Sequence, residues 1–304
     1  MGEKLVLGPL LSVESDDKYV VCFLTKTESS FSVQFNETKI EAKKIANLKS
    51  GFFYRVCHNI KQTDKSKKIN YKIIDTNYGR VVKDFNNRNS WEFYIPAMKE
   101  KIKYLQLSAN EITNISIEEL THSYSLLLLD GNHINANKIW SDITELFIWT
   151  KLNKTQRAKV KTSKKLLEKL NRFYEIQYLK KWNNKHLSLA LASIPTLMMW
   201  DNNDIFEGYE ASSKEVLNCD ICKNILKTAR KYFEIFQLRT IKNQTLIKKD
   251  RTDFSLAFKF RNQYIIALDK FSQDNRCLNI EEKNIDYFGD NTTVLVLNKK
   301  KRAF

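Results

Sequence analysis

Four short polar side chains follow an apolar run in the middle of the sequence. The run covers residues 194–200 and has the pattern of a short buried strand. The polar side chains are Asp201, Asn202, Asn203 and Asp204. Open α/β sheets bind ligands just past the carboxyl ends of such strands, and carboxylate and amide oxygens suit hard cations. The pattern therefore predicts either a metal site or an Asx-rich turn, which the same residue types favour.

Two further polar loops follow predicted strands. The apolar run of residues 125–129 predicts a strand buried on both faces, and it ends at a loop that contains Asn132 and His133. The strand predicted for residues 103–108 is followed by Asn110. An amide oxygen can bind a metal but brings no negative charge, so amides at these places predict a weak site. His133 is a candidate substitute ligand, and the alternative is a loop histidine with no such role.

These motifs carry a resemblance to a known family. Residues 200–204 resemble the Trp-Asp-Asp-His-Asp signature of the PhoD-like phosphatases, which belong to the calcineurin-like metallophosphoesterase superfamily. Residues 130–140 resemble that family's Gly-Gly-Asp-Gln-Ile-Tyr-Ala-Asp motif, and residues 108–110 its Ser-Cys-Asn segment. The resemblance implies phosphoester hydrolysis with divalent ions, which would be Mn, Fe, Zn, Ca or Mg. It implies metal ligands at Asn110, Asn132, Asp201, Asn202 and Asp204, and catalytic positions at Asn203 and His133.

The sequence departs from the family pattern at the residues that matter most. Asn132 and Asn202 stand where the family has Asp, and Asn203 stands where it has His. An Asn cannot relay a proton as a His can. No histidine follows His186, whereas the family continues into a second half with a Gly-Asp-Val-His type motif. The leading hypothesis is therefore a truncated, degenerate PhoD-like relative, a pseudoenzyme with weak or no activity.

Two other functions stay open at this point. The first is an active phosphomonoesterase or phosphodiesterase with a reduced site, in which Asp201, Asp204, Asn132 and His133 hold one metal ion and a metal-bound hydroxide attacks. Its partner would be a phosphorylated small molecule or a phosphodiester. The second is a non-enzymatic binder of anions or nucleic acid through lysine-rich faces. It ranks last, because no known nucleic-acid motif supports it.

The predicted architecture is mixed α+β and α/β with two domains. Residues 1–97 contain short alternating strands and predict a small N-terminal β-sandwich. Residues 98–304 predict an incomplete metallophosphoesterase-like α/β sandwich that lacks the family's C-terminal half. Amphipathic spacing predicts helices over residues 154–192 and 214–238. An incomplete sandwich would have to close differently, form a homodimer or pair with a complementing chain.

Composition limits the remaining function classes. The chain has 304 residues and a net charge of +16, from 51 Lys and Arg against 35 Asp and Glu. Such a charge permits an anionic partner without identifying one. Cys219 and Cys222 could form half a zinc site or a redox pair, but no second pair accompanies them. The N-terminus is a poor signal peptide and no apolar run approaches roughly 20 residues, so we expect a cytoplasmic protein without a membrane partner.

Overall fold

The computed structural model describes residues 4–121, 124–209, 211–239, 245–246, 254–261, 263–269, 271 and 293–297. Its strands are β1 (Leu5–Val13), β2 (Lys18–Thr25), β3 (Phe31–Phe35), β4 (Thr38–Glu41), β5 (Lys43–Leu48), β6 (Gly51–Asn59), β7 (Lys67–Asp75), β8 (Arg80–Val81), β9 (Trp91–Ile95), β10 (Tyr104–Leu107), β11 (Leu126–Leu129), β12 (Thr196–Met198), β13 (Leu256–Phe260), β14 (Gln263–Ala267) and β15 (Thr293–Leu297). Its α-helices are α1 (Ile117–Thr121), α2 (Ile139–Asp142), α3 (Thr144–Lys151), α4 (Lys154–Lys159), α5 (Lys164–Trp182), α6 (Lys185–Ser193), α7 (Asn202–Ile205), α8 (Lys214–Leu217) and α9 (Asp220–Tyr232).

A seven-stranded sheet forms the centre of the molecule, in the order β10-β11-β12-β1-β2-β6-β5. Its first four strands are parallel to one another, and β2, β6 and β5 continue the sheet with antiparallel pairing. All four leucines of β11 are buried, as expected for a strand with neighbours on both sides and cover on both faces. The parallel half of this sheet directs three loops to a single edge.

A second sheet packs against the antiparallel half of the first. It has the order β4-β3-β7-β8, and β9 also pairs with β7. Aromatic rings fill the space between the two sheets: the ring centroids of Phe23 and Phe31 are 5.7 Å apart, and those of Tyr19 and Phe93 are 5.2 Å apart. Interlocking aromatic side chains of this kind bury large apolar areas.

The predicted boundary at residue 97 does not separate the sheets. Ser12 of β1 is paired in parallel with Thr196 of β12, so strands from both predicted domains belong to one sheet. The alternating pattern identified the N-terminal strands, but nothing in it could specify a partner strand in so distant a part of the chain. The structure is a mixed α/β fold with several sheets, and strands of the N-terminal segment share the largest of them with strands from the rest of the chain.

Both predicted helical stretches are divided into shorter helices, because N-capping side chains start new helices within them. Residues 154–192 form α4, α5 and α6, and the side chains of Ser163 and Asn184 accept backbone N–H groups where α5 and α6 begin. Residues 214–238 form α8, α9 and a π-helical turn at Phe233–Leu238, and the Sγ of Cys219 accepts the Cys222 N–H at the start of α9. Short polar side chains therefore end and restart these helices, which apolar spacing alone could not reveal.

A third sheet consists of β13, β14 and β15. Strands β13 and β14 form the hairpin that the sequence predicts near residues 255–269, and β15 lies parallel to β14. The basic segment at residues 298–302 lies outside the described residues. Within the described part of the chain, none of the helices combines the length and apolar character of a membrane span.

Candidate functional site

The three polar loops predicted from the sequence lie together at the carboxyl ends of β10, β11 and β12. Leu107 is in register with Leu129, and Leu129 with Met198, so the three strands end at the same level. The N–H of Ala109 donates to the carbonyl oxygen of Gly131 over 3.1 Å, which joins the first two loops. This is the edge at which parallel sheets place ligand sites.

Two amides at the centre of this edge bond to each other. The Nδ2 of Asn203 donates to the Oδ1 of Asn132 over 2.7 Å. In the resemblance these positions correspond to the family's signature His and a ligand Asp. Neither side chain carries a charge, so the pair contributes polarity without the negative potential that holds divalent ions.

Gly131 allows the second and third loops to approach this closely. Its φ is +120°, and a Cβ at this position would lie 2.5 Å from the Cγ of Asp201. Only glycine combines that backbone conformation with the required space. Asn132 also has a positive φ, of 55°, which Asn tolerates better than most residues.

Lys181 reaches the same cluster from the last turn of α5. Its ammonium group donates to the Oδ1 of Asn110 over 2.6 Å and to the main-chain oxygen of Asn132. Partial burial lowers the pKa of Lys181, and the nearby Asp204 and Asp201 act in the opposite direction. The sequence pattern does not single out this residue, because lysines on the polar face of an amphipathic helix are usually solvated.

Asp201 and Asp204 form a capping box around the short helix α7. The Oδ1 of Asp201 accepts the N–H of Asn203 over 3.0 Å, and the Oδ2 of Asp204 accepts the N–H of Asp201 over 3.1 Å. The other oxygen of Asp204 accepts the N–H of Ile134 over 2.9 Å, which connects the second and third loops. The Asx-rich turn, one of the two structures that this sequence pattern predicts, is therefore present.

Both carboxyl groups are sheltered from solvent. Burial raises the pKa of Asp204 well above its usual value, and the neighbouring Asp201 adds to this effect. Burial also raises the pKa of Asp201, although backbone N–H groups of Asn132, Asn203 and Asp204 oppose the change. These shifts follow from the cost of placing two carboxylates close together in a medium of low dielectric constant.

His133 lies in the core and is not part of the amide cluster. Its side chain is fully buried, and its Nε2 lies 3.0 Å from the main-chain oxygen of Met199. A carbonyl neighbour requires the proton on Nε2, since a carbonyl oxygen can only accept. The pKa of His133 is lowered to about 3, chiefly by burial and to a lesser extent by Lys181 and Arg239, while the hydrogen bond to the Met199 carbonyl opposes the shift. The predicted role of His133 as a ligand or catalyst finds no support in this geometry.

The predicted ligand set does not fit a divalent metal ion. Among the described residues, no group of three or more His, Cys, Asp and Glu side chains could hold one. The carboxyl groups of Asp201 and Asp204 accept backbone N–H groups, and the amide of Asn132 is bonded to that of Asn203. Asn110 faces Lys181, and Asn202, the first residue of α7, has a contact of its own. An ammonium group, that of Lys181, contacts two of the predicted ligands, Asn110 and Asn132, and Asp201 and Asp204 lie near enough to attract it.

Sequence comparison identifies relatives of this chain. The family described as PhoD related phosphatase matches residues 115–261, which include the second and third loops. Uncharacterized protein YGR266W of Saccharomyces cerevisiae is 21% identical over 298 residues, which cover 88% of this chain and 38% of that protein. The chain therefore spans well under half the length of this curated relative.

Structural comparison agrees with the sequence match. The solved structure of PhoD superposes with a TM-score of 0.55 at 11% identity, over 90% of this chain and 53% of that one. The purple acid phosphatase PPD1 from yellow lupin (Lupinus luteus) seeds has a TM-score of 0.49 at 9% identity, over 91% of this chain and 48% of that one. The family match and the shared fold confirm the resemblance drawn from the motifs: residues 115–261 are similar to the PhoD related phosphatases, and the chain has a fold similar to that of PhoD.

Proposed function

We propose that this chain is a PhoD-like phosphatase relative that has kept the fold and has weak or no phosphoester hydrolase activity. One observation supports this proposal above the others. Asn203 and Asn132, at the positions of the signature His and a ligand Asp, are bonded to each other over 2.7 Å. Two amide side chains that hydrogen-bond to each other neither hold a divalent ion tightly nor transfer a proton.

The surrounding groups support the same proposal. Hydrolysis by a metallophosphatase uses bound ions to lower the pKa of a water molecule and to neutralise charge on the phosphoryl group. Here the two carboxyl groups nearest the amides, those of Asp201 and Asp204, accept hydrogen bonds from backbone N–H groups at the start of α7 and at Ile134. The buried imidazole of His133 lies against the Met199 carbonyl, so it is not placed to protonate a leaving group.

A hydrolysis assay tests the proposal. The protein would be assayed against a phosphomonoester and a phosphodiester in the presence of Mn²⁺, Fe²⁺, Zn²⁺, Ca²⁺ or Mg²⁺ in turn. We expect the rate to equal that of Asp201→Asn, which keeps an oxygen to cap α7 and removes the charge. A metal-dependent rate that chelation abolishes and that Asp201→Asn lacks would instead establish the reduced active site.

A second candidate function, binding of an anionic polymer, is favoured by one basic segment. Residues 146–167 contain seven Lys and Arg and no Asp or Glu. Lys151, Lys154, Lys159, Lys164 and Lys165 of this segment are all exposed. Contacts with phosphates would make the affinity for single-stranded nucleic acid fall steeply with salt concentration. Binding that is absent, or that does not change with salt, would exclude this candidate.

A further inference from the structure

The cluster at the sheet edge contains a cation that belongs to the chain itself. The Nζ of Lys181 lies 2.6 Å from the Oδ1 of Asn110 and also contacts the main-chain oxygen of Asn132. The carboxyl groups of Asp201 and Asp204 attract it electrostatically. Oxygen atoms of the first two loops therefore contact one positive charge, and the carboxyl groups of the third loop attract it, at the place where the family resemblance implies a metal ion.

We propose that the ammonium group of Lys181 takes the place of a bound metal ion in this chain and holds the three loops together as a built-in cation. This inference deepens the proposed function, because it identifies the positive charge of a site that we propose to work without metal. It also explains why the predicted ligands fit a divalent ion poorly.

Charge balance accounts for the amides in the cluster. One or two divalent ions require several negative ligands, whereas a single ammonium group brings one positive charge. Asn132 and Asn202 stand where the family has carboxylates, and Asp201 and Asp204 are the two that remain. Additional carboxylates around a single ammonium group would leave buried negative charge without compensation. The replacement of carboxylates by Asn132 and Asn202 is thus consistent with a single ammonium group, that of Lys181, as the cation of the cluster.

The end of α5 is fixed in a position that presents Lys181 to the loops. The next residue, Trp182, donates its Nε1–H to the main-chain oxygen of His133 over 3.0 Å and is fully buried. Tyr178, one turn earlier, packs on Trp182 with ring centroids 5.1 Å apart. Lys181 is half-buried between these anchors and the loops, while its neighbour Lys180 is exposed. The packing of Tyr178 and Trp182 therefore fixes the end of α5, from which the Lys181 side chain reaches the loops.

An ammonium group at this place excludes a divalent ion in two ways. It occupies a lone pair of the Asn110 side chain, which is one of the implied ligands, and a lone pair of the Asn132 main-chain oxygen beside it. It also repels a second cation a few ångströms away. Removing it should vacate those oxygens and end the repulsion. The inference therefore predicts a gain of metal binding when a positively charged residue is removed.

Titration calorimetry with Mn²⁺ alone tests the inference. We expect Lys181→Ala to bind Mn²⁺ at least about tenfold more tightly than the wild-type protein. Adding Asp201→Asn to that variant should abolish the gain, because it removes one of the two nearby negative charges. The matched control Lys180→Ala, an exposed lysine on the same turn of α5, should behave as the wild type.

Equal Mn²⁺ affinity in the wild type and in Lys181→Ala would overturn the inference, whether both bind or neither does. If Lys181→Ala does not fold, the neutral Lys181→Gln variant is measured instead. We expect it to gain the same Mn²⁺ affinity, and an affinity equal to that of the wild type would again overturn the inference. The two proposals can fail separately. Metal-dependent hydrolysis by the wild-type protein would contradict the proposed function, whereas unchanged Mn²⁺ binding without hydrolysis would contradict only the role of Lys181.

Discussion

At the residue scale, a pair of amides and the ammonium group of Lys181 occupy the edge where the parallel strands end. Asn132 and Asn203 each follow a buried apolar strand, so their meeting at one sheet edge could be predicted from the pattern. Lys181 lies 71 residues from Asn110 in the chain, and its contact depends on how α5 packs. Helix periodicity assigns a residue to a face of the helix, but it does not specify what the end of that helix will touch.

Gly131 gives a direct test of the close approach between the second and third loops. Gly131→Ala would place its Cβ 2.5 Å from the Asp201 side chain, on a backbone with φ of +120°. We expect the free energy of unfolding to fall by about 2 kcal/mol more than in Gly79→Ala. Gly79 is a matched control, because its φ is also positive and a Cβ there would meet nothing within 4 Å. Equal losses in urea denaturation of the two variants would show that the loops can separate at no cost.

His133 should make the protein sensitive to acid. Its pKa is lowered to about 3 by burial, while an unfolded histidine titrates near its usual value. Between these two pH values the unfolded chain binds the proton and the folded protein does not, so stability is lost as the pH falls. The contribution of His133 is roughly 1.4 kcal/mol for each pH unit below the unfolded value.

The variant His133→Gln isolates this contribution, because an amide N–H can still face the Met199 carbonyl and does not titrate. Its free energy of unfolding should decrease less between pH 7 and about pH 5 than that of the wild type. The measurement is the slope of the free energy of unfolding against pH. Altered packing in the variant would lower stability by the same amount at every pH, so it would not change this slope. Parallel slopes for the two proteins would contradict the buried, neutral histidine.

At the scale of elements, apolar patterns predicted strands and helical stretches but not their partners or breaks. The buried run of β11 and the hairpin of β13 and β14 appear where the sequence predicts them. The pairing of β1 with β12 was not predictable, because strand pairing over such a distance depends on the whole fold. The helix breaks have a local signal in retrospect, since Ser163, Asn184 and Cys219 each cap a new helix.

Glu175 connects two elements, and its removal should weaken their contact. It lies on α5, is buried, and accepts the N–H of Ser50 over 2.6 Å at the turn between β5 and β6. Hydrogen bonds to charged groups contribute roughly 1.5–3 kcal/mol, so we expect Glu175→Gln to cost about 2 kcal/mol in thermal or urea unfolding. The exposed Glu168 on the same helix provides the control, Glu168→Gln. Similar stabilities of the two variants would mean that Glu175 does not hold the turn.

At the scale of the whole molecule, the shared sheet should make folding cooperative across the predicted domain boundary. β1 is bordered by β12 on one side and by β2 on the other, so unfolding either part exposes an edge of the other. We expect calorimetry to give one transition with equal calorimetric and van't Hoff enthalpies. Two separated transitions would instead support independent domains divided near residue 97.

The metal content of the purified wild-type protein tests the central claim most directly. The protein would be incubated with Mn²⁺, Fe²⁺, Zn²⁺, Ca²⁺ and Mg²⁺ in turn, passed through a desalting column and measured by elemental analysis. Because Lys181 and the paired amides occupy the sheet edge, we expect no ion in stoichiometric amount. A stoichiometric ion that is lost in the Asp201→Asn/Asp204→Asn variant would contradict the account and mark the site as a working metal centre.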